Sequence, residues 1–242
     1  MRFETITCWE PTDVNDPVVR AAGRLYERTL DPDERIPWEW IERGIGGSAG
    51  RTAGWRRHLI VATAGDQLAG YAYGAYIPGY GGYLCYIGVD ETFRCAGVGR
   101  TLFEAFFERV RADATAAGEP LPFVVWESYR PTPDEPPAAH DIWAARLRLF
   151  DKVGGQWVKG VEFLTPNFAG EADPVPLQLF VKPVDRPAAA FTSERLWGVV
   201  EALYERVYRI DPGDPLFDGT VTPEARPTLA PCREAGAAPV VI

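Results

Sequence analysis

The sequence predicts an α/β (α+β) domain in which helices flank a mixed central sheet. Three observations carry this. Apolar runs rich in β-branched and aromatic residues recur between His58 and Lys182, helical periodicity interrupts them twice, and a glycine-punctuated loop joins the third run to the longer helix. Strand, helix, strand, helix, strand is the alternation of an α/β fold.

Taken in order, Asp16-Pro17 starts a helix with Val18, Val19, Ala22, Leu25 and Tyr26 along its apolar side and a stop near Asp31-Pro32. Residues 37–45 predict a second helix. Residues 44–54, dominated by glycine with Ser48, Ala49 and Thr52, offer little to bury and read as a mobile loop. Residues 58–63 and 68–77 form a hairpin around Ala64-Gly65-Asp66-Gln67, and residues 81–89 form a third strand. A helix over 97–117 places Leu102, Phe103, Phe106, Phe107 and Val110 on one face. Gly118-Glu119-Pro120 breaks it and leads into a strand over 122–127. Residues 141–153 read as helix, ended by Gly154-Gly155, and strands follow over 156–164 and 176–182. Tyr71, Tyr73, Tyr76, Tyr80, Tyr83 and Tyr86 line either a shaped cleft or well-filled strand faces, and their alternation favours the latter for most of them.

The loop Arg94-Cys95-Ala96-Gly97-Val98-Gly99 is where chemistry starts. Gly97 and Gly99 sit at a helix N-terminus, whose free amides and positive dipole end suit a phosphate that must approach bare backbone. The loop lacks the lysine of a nucleoside-triphosphate loop, and Gly99 is followed by Arg100-Thr101-Leu102, so the dinucleotide fingerprint is absent too. Five residues after a strand ending in Val89, the string Arg94-x-x-Gly97-x-Gly99 resembles the pyrophosphate loop of the GNAT superfamily of acetyl-CoA-dependent N-acetyltransferases. The resemblance extends over about two-thirds of the chain through the order of its elements.

That resemblance implies the acyl-CoA N-acyltransferase fold, with parallel strands splayed around the pantetheine arm, and acetyl-CoA as co-substrate. It assigns Ile87, Gly88 and Val89 to the acyl and pantetheine contact, with an oxyanion donor at or beside the Val89 amide. It assigns Arg94, Cys95, Ala96, Gly97, Val98, Gly99, Arg100 and Thr101 to the pyrophosphate. Glu127, in Trp126-Glu127-Ser128, falls where some amine-acetylating relatives carry an acid/base glutamate, and burial beside Trp126 would raise its pKa. The competing reading is a strand-end carboxylate in solvent or paired with Arg130. The family's thiolate-protonating tyrosine is replaced by Phe150, and Trp143 stands near the place of the helper asparagine. Tyr129, Tyr83 or water is left as the proton donor.

The expected division is an acetyltransferase domain over 1–187, a helical extension over 188–210 and a Pro/Gly/Ala-rich, extended or disordered tail over 211–242. Leu196, Val200, Leu203 and Val207 give the extension an apolar face that docks on this subunit or on a second copy, which would make a homodimer. The length of 242 residues suffices for a sizeable core, and a formal charge of −9 without a basic stretch argues against nucleic acid. No apolar run is long enough for a membrane span, and Met1-Arg2-Phe3-Glu4-Thr5 is no secretory signal, so the expected location is cytoplasmic. Cys8, Cys85, Cys95 and Cys232 form no C-x-x-C pair, and His58 and His140 stand apart, so no metal site is expected. The reading is an acetyltransferase acting on a primary amine of a small molecule by direct attack in a ternary complex. A non-catalytic acyl-CoA-binding module and a protein N-acetyltransferase are the alternatives.

Overall fold

A computed structural model describes residues 5–47, 54–170, 173–222 and 225–236. The chain forms two compact units, one of residues 1–124 with 168–170 and the other of residues 125–167 with 171–242. The short excursion into the first unit is anchored where the Phe168 amide donates to the Asp33 carbonyl at 2.9 Å.

The first unit is built on an antiparallel sheet of β1 (Ile6–Trp9), β2 (Arg56–Ala64), β3 (Gln67–Ile77) and β4 (Gly81–Val89) in sequential order. Around it lie α1 (Pro17–Thr29), α2 (Trp38–Glu42) and α3 (Val98–Ala117). Asp16 caps α1 by accepting from the Val18 amide at 2.9 Å, with Pro17 opening the helix, a cap worth about 1 kcal/mol. The period-two alternation of β3 separates two surfaces. Tyr71 and Tyr73 enter an apolar cluster with Val19, Leu25 and Tyr26 of α1. Gly70 and Gly74 face α3, where a Cβ would fall 2.9 Å from Leu102 and 2.6 Å from the Phe106 ring. Small residues on that surface let α3 lie close to the strands, and any larger side chain overpacks it. The tyrosines of β3 and β4 are all buried, so they fill the strand faces.

A polar cluster in this unit is centred on a buried histidine. His58 on β2 is 7 % exposed, with Nδ1 2.8 Å from Glu10 Oε1 and Nε2 2.5 Å from Asp113 Oδ2. Arg109 donates to the second Glu10 oxygen at 2.8 Å through Nε, and Arg56 lies 3.3 Å from Asp113. Only an imidazolium can donate from both ring nitrogens. Burial alone would lower the His58 pKa, but the bonds to Asp113 and Glu10 outweigh it and leave the value raised above 6.5. Burial likewise opposes ionisation of Glu10 and Asp113, and their bonds to His58 and the arginines leave both lowered. A raised imidazole contributes stability in full below 6.5, and that contribution disappears as pH climbs through the folded-state value. The carboxylates contribute above their ordinary values near 4, and this is lost as pH falls through the lowered ones. The thermal midpoint should therefore be highest in mildly acidic buffer and decline on both sides. His58→Gln should flatten the alkaline decline and cost about 2–3 kcal/mol, discounted from a fully buried pair because the arginines stay half-exposed. A midpoint independent of pH between 6 and 9 in the unaltered protein would contradict this.

The second unit holds β5, β6 (Gln156–Lys159), β7 (Phe163–Thr165), β8 (Val175–Pro183) and β9 (Thr228–Pro231), where β5 (Phe123–Tyr129) enters it at Val125. Its helices are α4 (Pro137–Lys152), α5 (Ser193–Leu203) and α6 (Pro215–Thr220). β8 neighbours β5 and β6, β9 forms the far edge, and β7 pairs separately with β8. The predicted strand over 156–164 is two strands because Gly160 turns at φ 89. α4 begins earlier than predicted, since Pro137 occupies the first helical turn, where its missing N–H costs nothing.

The stretch after Asp211, expected to be extended or disordered, contains α6, β9 and a turn of helix among its described residues. Asp214 caps α6, β9 pairs antiparallel with β6, and residues 232–236 form a turn of helix against α4. There the Cys232 amide donates to Asp151 Oδ1 at 2.9 Å, and the Cys232 side chain is fully buried. Proline and alanine hid a four-residue edge strand whose value lies in covering β6. Part of the glycine-rich loop expected over 44–54, residues 48–53, lies outside the described residues, as do 237–242. Among the described residues no helix is long and apolar enough to cross a membrane.

Candidate active site

The loop after β4 owes its position to a bulge. Tyr73 faces Tyr86 while Gly74 faces Leu84, so Cys85 is the extra residue. After it Gly88 turns inward, where an added Cβ would fall 2.4 Å from the Tyr71 ring, and Ile87 and Val89 are half-buried on the opposite side. The Asp90 amide then donates back to the Ala69 carbonyl at 3.0 Å, and Asp90 Oδ1 accepts from the Thr92 amide at 3.0 Å. Arg28 takes the other Asp90 oxygen at 2.9 Å. The Thr92 bonds, and behind them Arg28 and Arg94, hold the Asp90 carboxyl below its usual value.

Phe93 is buried and anchors the loop, while Arg94 and Cys95 are exposed. Cys95 at φ 65 and Gly97 at φ 88 are both left-handed, and together they turn the chain into α3. The first bond of α3 runs from the Thr101 amide to the Gly97 carbonyl at 3.1 Å, so the amides of Val98, Gly99 and Arg100 precede it and have no intrahelical acceptor. Gly97 provides no capping side chain, and the first turn contains no acidic residue. A Cβ built on Gly97 would meet nothing within 4 Å. The helix end is therefore positive, uncapped and open, the features that receive a diphosphate. Arg100 is engaged by Glu104 at 2.7 Å, but both side chains are more than half exposed and such a pair is worth less than about 1 kcal/mol, so a stronger anion displaces it readily. The Thr101 hydroxyl donates to the Gly97 carbonyl at 3.2 Å and so braces the turn.

In the second unit the sequence-predicted base lies on β5. Trp126 is 2 % exposed and stacks on Phe180 at 6.0 Å, with Phe150 edge-on at 5.5 Å. Gly155 makes room for it, since a Cβ there would fall 2.6 Å from the indole. Glu127 follows on the other face of the strand and is half-buried, and its Oε1 accepts from the Tyr208 hydroxyl. Arg130, two residues beyond Ser128, interacts electrostatically with Glu162. Tyr129 donates to Glu135 Oε1, which also accepts from the Thr132 amide at 2.9 Å. These bonds, the tyrosine's foremost, hold the Glu135 carboxyl low and tie down the proline-rich connection between β5 and α4. In the first unit Tyr83 is 4 % exposed within β4. Phe150 is 3 % exposed and packs 4.8 Å from Phe180, which also receives Trp143 at 6.1 Å. Phe150 is thus part of an apolar aromatic cluster.

Residues 19–118, which include the bulged strand, the loop and α3, match the family model described as acetyltransferase (GNAT) family. Over that segment the chain is similar to the GNAT acetyltransferases. Solved structures agree on the fold. A GNAT-family protein from Bacteroides thetaiotaomicron superposes with a TM-score of 0.60 at 16 % identity, covering 85 % of this chain and 99 % of its own. The ribosomal-protein-S18-alanine N-acetyltransferase of Escherichia coli gives 0.52 at 13 % identity, over 76 % of this chain and 96 % of its own. yncA from Salmonella typhimurium, whose structure contains acetyl-CoA, gives 0.50 at 14 % identity over the same shares. Among curated proteins none matches the chain significantly in sequence.

The matched segment includes the turn at Gly97, and position 150 outside it is a phenylalanine without a hydroxyl. Sequence reasoning missed Tyr208. A helical projection of the extension cannot say that the Tyr208 hydroxyl reaches a carboxylate 81 residues away.

Proposed function

We propose that this protein transfers the acetyl group of acetyl-CoA to a primary amine on a small molecule, by direct attack of the amine on the thioester. The observation that carries the reading is the open, side-chain-free start of α3 at Gly97, which follows β4 through a loop whose only cap, Asp90, serves the preceding turn. In this reading the amides of Val98 to Arg100 receive the diphosphate, with Arg94 beside them, and Ile87 to Val89 contact the acyl and pantetheine portion. Glu127 takes the proton released as the acceptor ammonium becomes a nucleophile. The nitrogen bonds to the carbonyl carbon, the carbon–sulfur bond breaks, and the departing thiolate takes up a proton. No covalent enzyme intermediate is required. A net charge of −9 favours cationic acceptors by long-range attraction.

The test is thiol release from acetyl-CoA with a panel of polyamines, aminoglycosides, amino acids and peptides with free amino termini. Turnover with one of the small amines is expected. Turnover confined to peptides would move the assignment to protein acetylation. CoA binding without turnover on any acceptor would favour a non-catalytic acyl-CoA-binding module, a reading that Phe150 motivates.

A further inference from the structure

The helix that begins at Ser193 does more than cover the second unit. α5 is capped by Thr192 and runs regularly to Leu203, after which the helix widens to i→i+5 geometry over Tyr204–Tyr208 and closes at Arg209 with φ 59. Such widenings cost hydrogen-bond quality and recur at functional sites. Here the widened turn directs two phenols inward. Tyr204 is fully buried, and its hydroxyl bonds to the Leu164 carbonyl and to Thr220 Oγ1, each at 2.6 Å. Its ring packs on Phe163 at 4.6 Å and on Phe217 at 5.5 Å. Tyr204 therefore fixes the turn from both sides. Tyr208, one turn on, rests 5.6 Å from Phe163 and 6.2 Å from Tyr204, and from there its hydroxyl donates to Glu127 Oε1.

We infer that Tyr208 is a positioning residue for Glu127, which makes the widened end of α5 part of the catalytic apparatus. The inference rests on the reading of Glu127 as the base. A carboxylate on a strand has two free χ torsions before its terminal group, and a single fixed phenol removes most of that freedom. A phenol that can only donate to the carboxylate favours its ionised form, the form a base requires. The other groups around this part of β5 have partners of their own. Arg130 interacts with Glu162, Arg146 of α4 approaches Ser128 at 3.5 Å, and Lys182 of β8 donates to the Val153 carbonyl. Tyr204 feels the Glu127 and Asp214 charges, but burial foremost pushes its phenol up to about 12, so it stays protonated across the working range. Tyr208 is only half-buried, unlike Tyr204, so its hydroxyl is placed for the carboxylate rather than for packing.

The test compares full-length protein with Y208F, E127Q and the double variant. With tyrosine labelled at the ring carbon bearing oxygen, the resonance that vanishes in Y208F belongs to Tyr208, and it should move in E127Q. No movement would overturn the inference, whatever acceptor is used. With the best acceptor of the amine panel, Y208F should lose about 10–100-fold in kcat. Its KM for acetyl-CoA should stay within about twofold, and the acid limb of its pH–rate profile should move to higher pH. In the E127Q background the same substitution should change kcat by less than about twofold. A Y208F profile that superimposes on the unaltered one would overturn the positioning role while leaving Glu127 as base. Full kcat in E127Q would remove the base reading, and the positioning role with it. Near-UV circular dichroism of each variant shows that the aromatic packing is retained.

Discussion

Gly97→Asp should weaken binding of CoA and acetyl-CoA at least about 100-fold, because it puts a carboxylate where the diphosphate must sit. The position makes this a clean experiment. A Cβ on Gly97 meets no atom within 4 Å, so no packing is disturbed. The strain of a non-glycine residue at φ 88 costs about 1–2 kcal/mol, which lowers the thermal midpoint by a few degrees without unfolding the protein. Gly97→Ala separates the two effects, since it carries the strain without the charge. It should retain most of the affinity. A charge-bearing variant that binds CoA normally would mean that the start of α3 is only a turn.

The second large effect is expected at Glu127. Replacement by Gln keeps the size of the side chain and a hydrogen-bonding oxygen for Tyr208, but it removes the ability to take a proton. Turnover should fall by about 10²–10⁴-fold, and CoA affinity should be unchanged because the loss is confined to the chemical step. The acid limb of the pH–rate profile should disappear along with the rate. An unchanged profile with full turnover would take Glu127 out of the mechanism and return it to the strand-end carboxylate that its sequence position equally allows.

The parts of this fold that could be read from the chain are those governed by local periodicity. The apolar face of α3 and the glycine pair that starts it lie within one contiguous segment, and the rules for helix entry apply to that segment alone. The same holds for the hairpin of β2 and β3 and for the Asp16-Pro17 entry to α1. What escaped was set by distant partners. β1 has four residues, of which Cys8 and Trp9 are ambiguous between strand and loop, and its strand character comes from pairing with residues 61–64. β9 needs β6 in the same way. Cys85 gives no sign of being a bulge until β3 is beside it.

The candidate site divides along the same line. The turn proposed to receive the diphosphate is legible because it consists of backbone and glycine. Neighbours in sequence say little about what surrounds Glu127, because the strand's alternation sends Trp126 to the opposite face. The phenol that meets it comes from a widened helical turn that no apolar periodicity predicts. Tyr129, one of the proton donors left open by the sequence, donates to Glu135 and helps hold the following connection.

The central claim is that the amides at the start of α3 grip the diphosphate of coenzyme A, and isothermal calorimetry on folded, unaltered protein tests it most directly. Titrations with CoA and acetyl-CoA should each give saturable heat at one site per chain, while pantetheine, which has the thiol arm but no diphosphate, should give little. No heat with either coenzyme, or equal heat with pantetheine, would contradict the account.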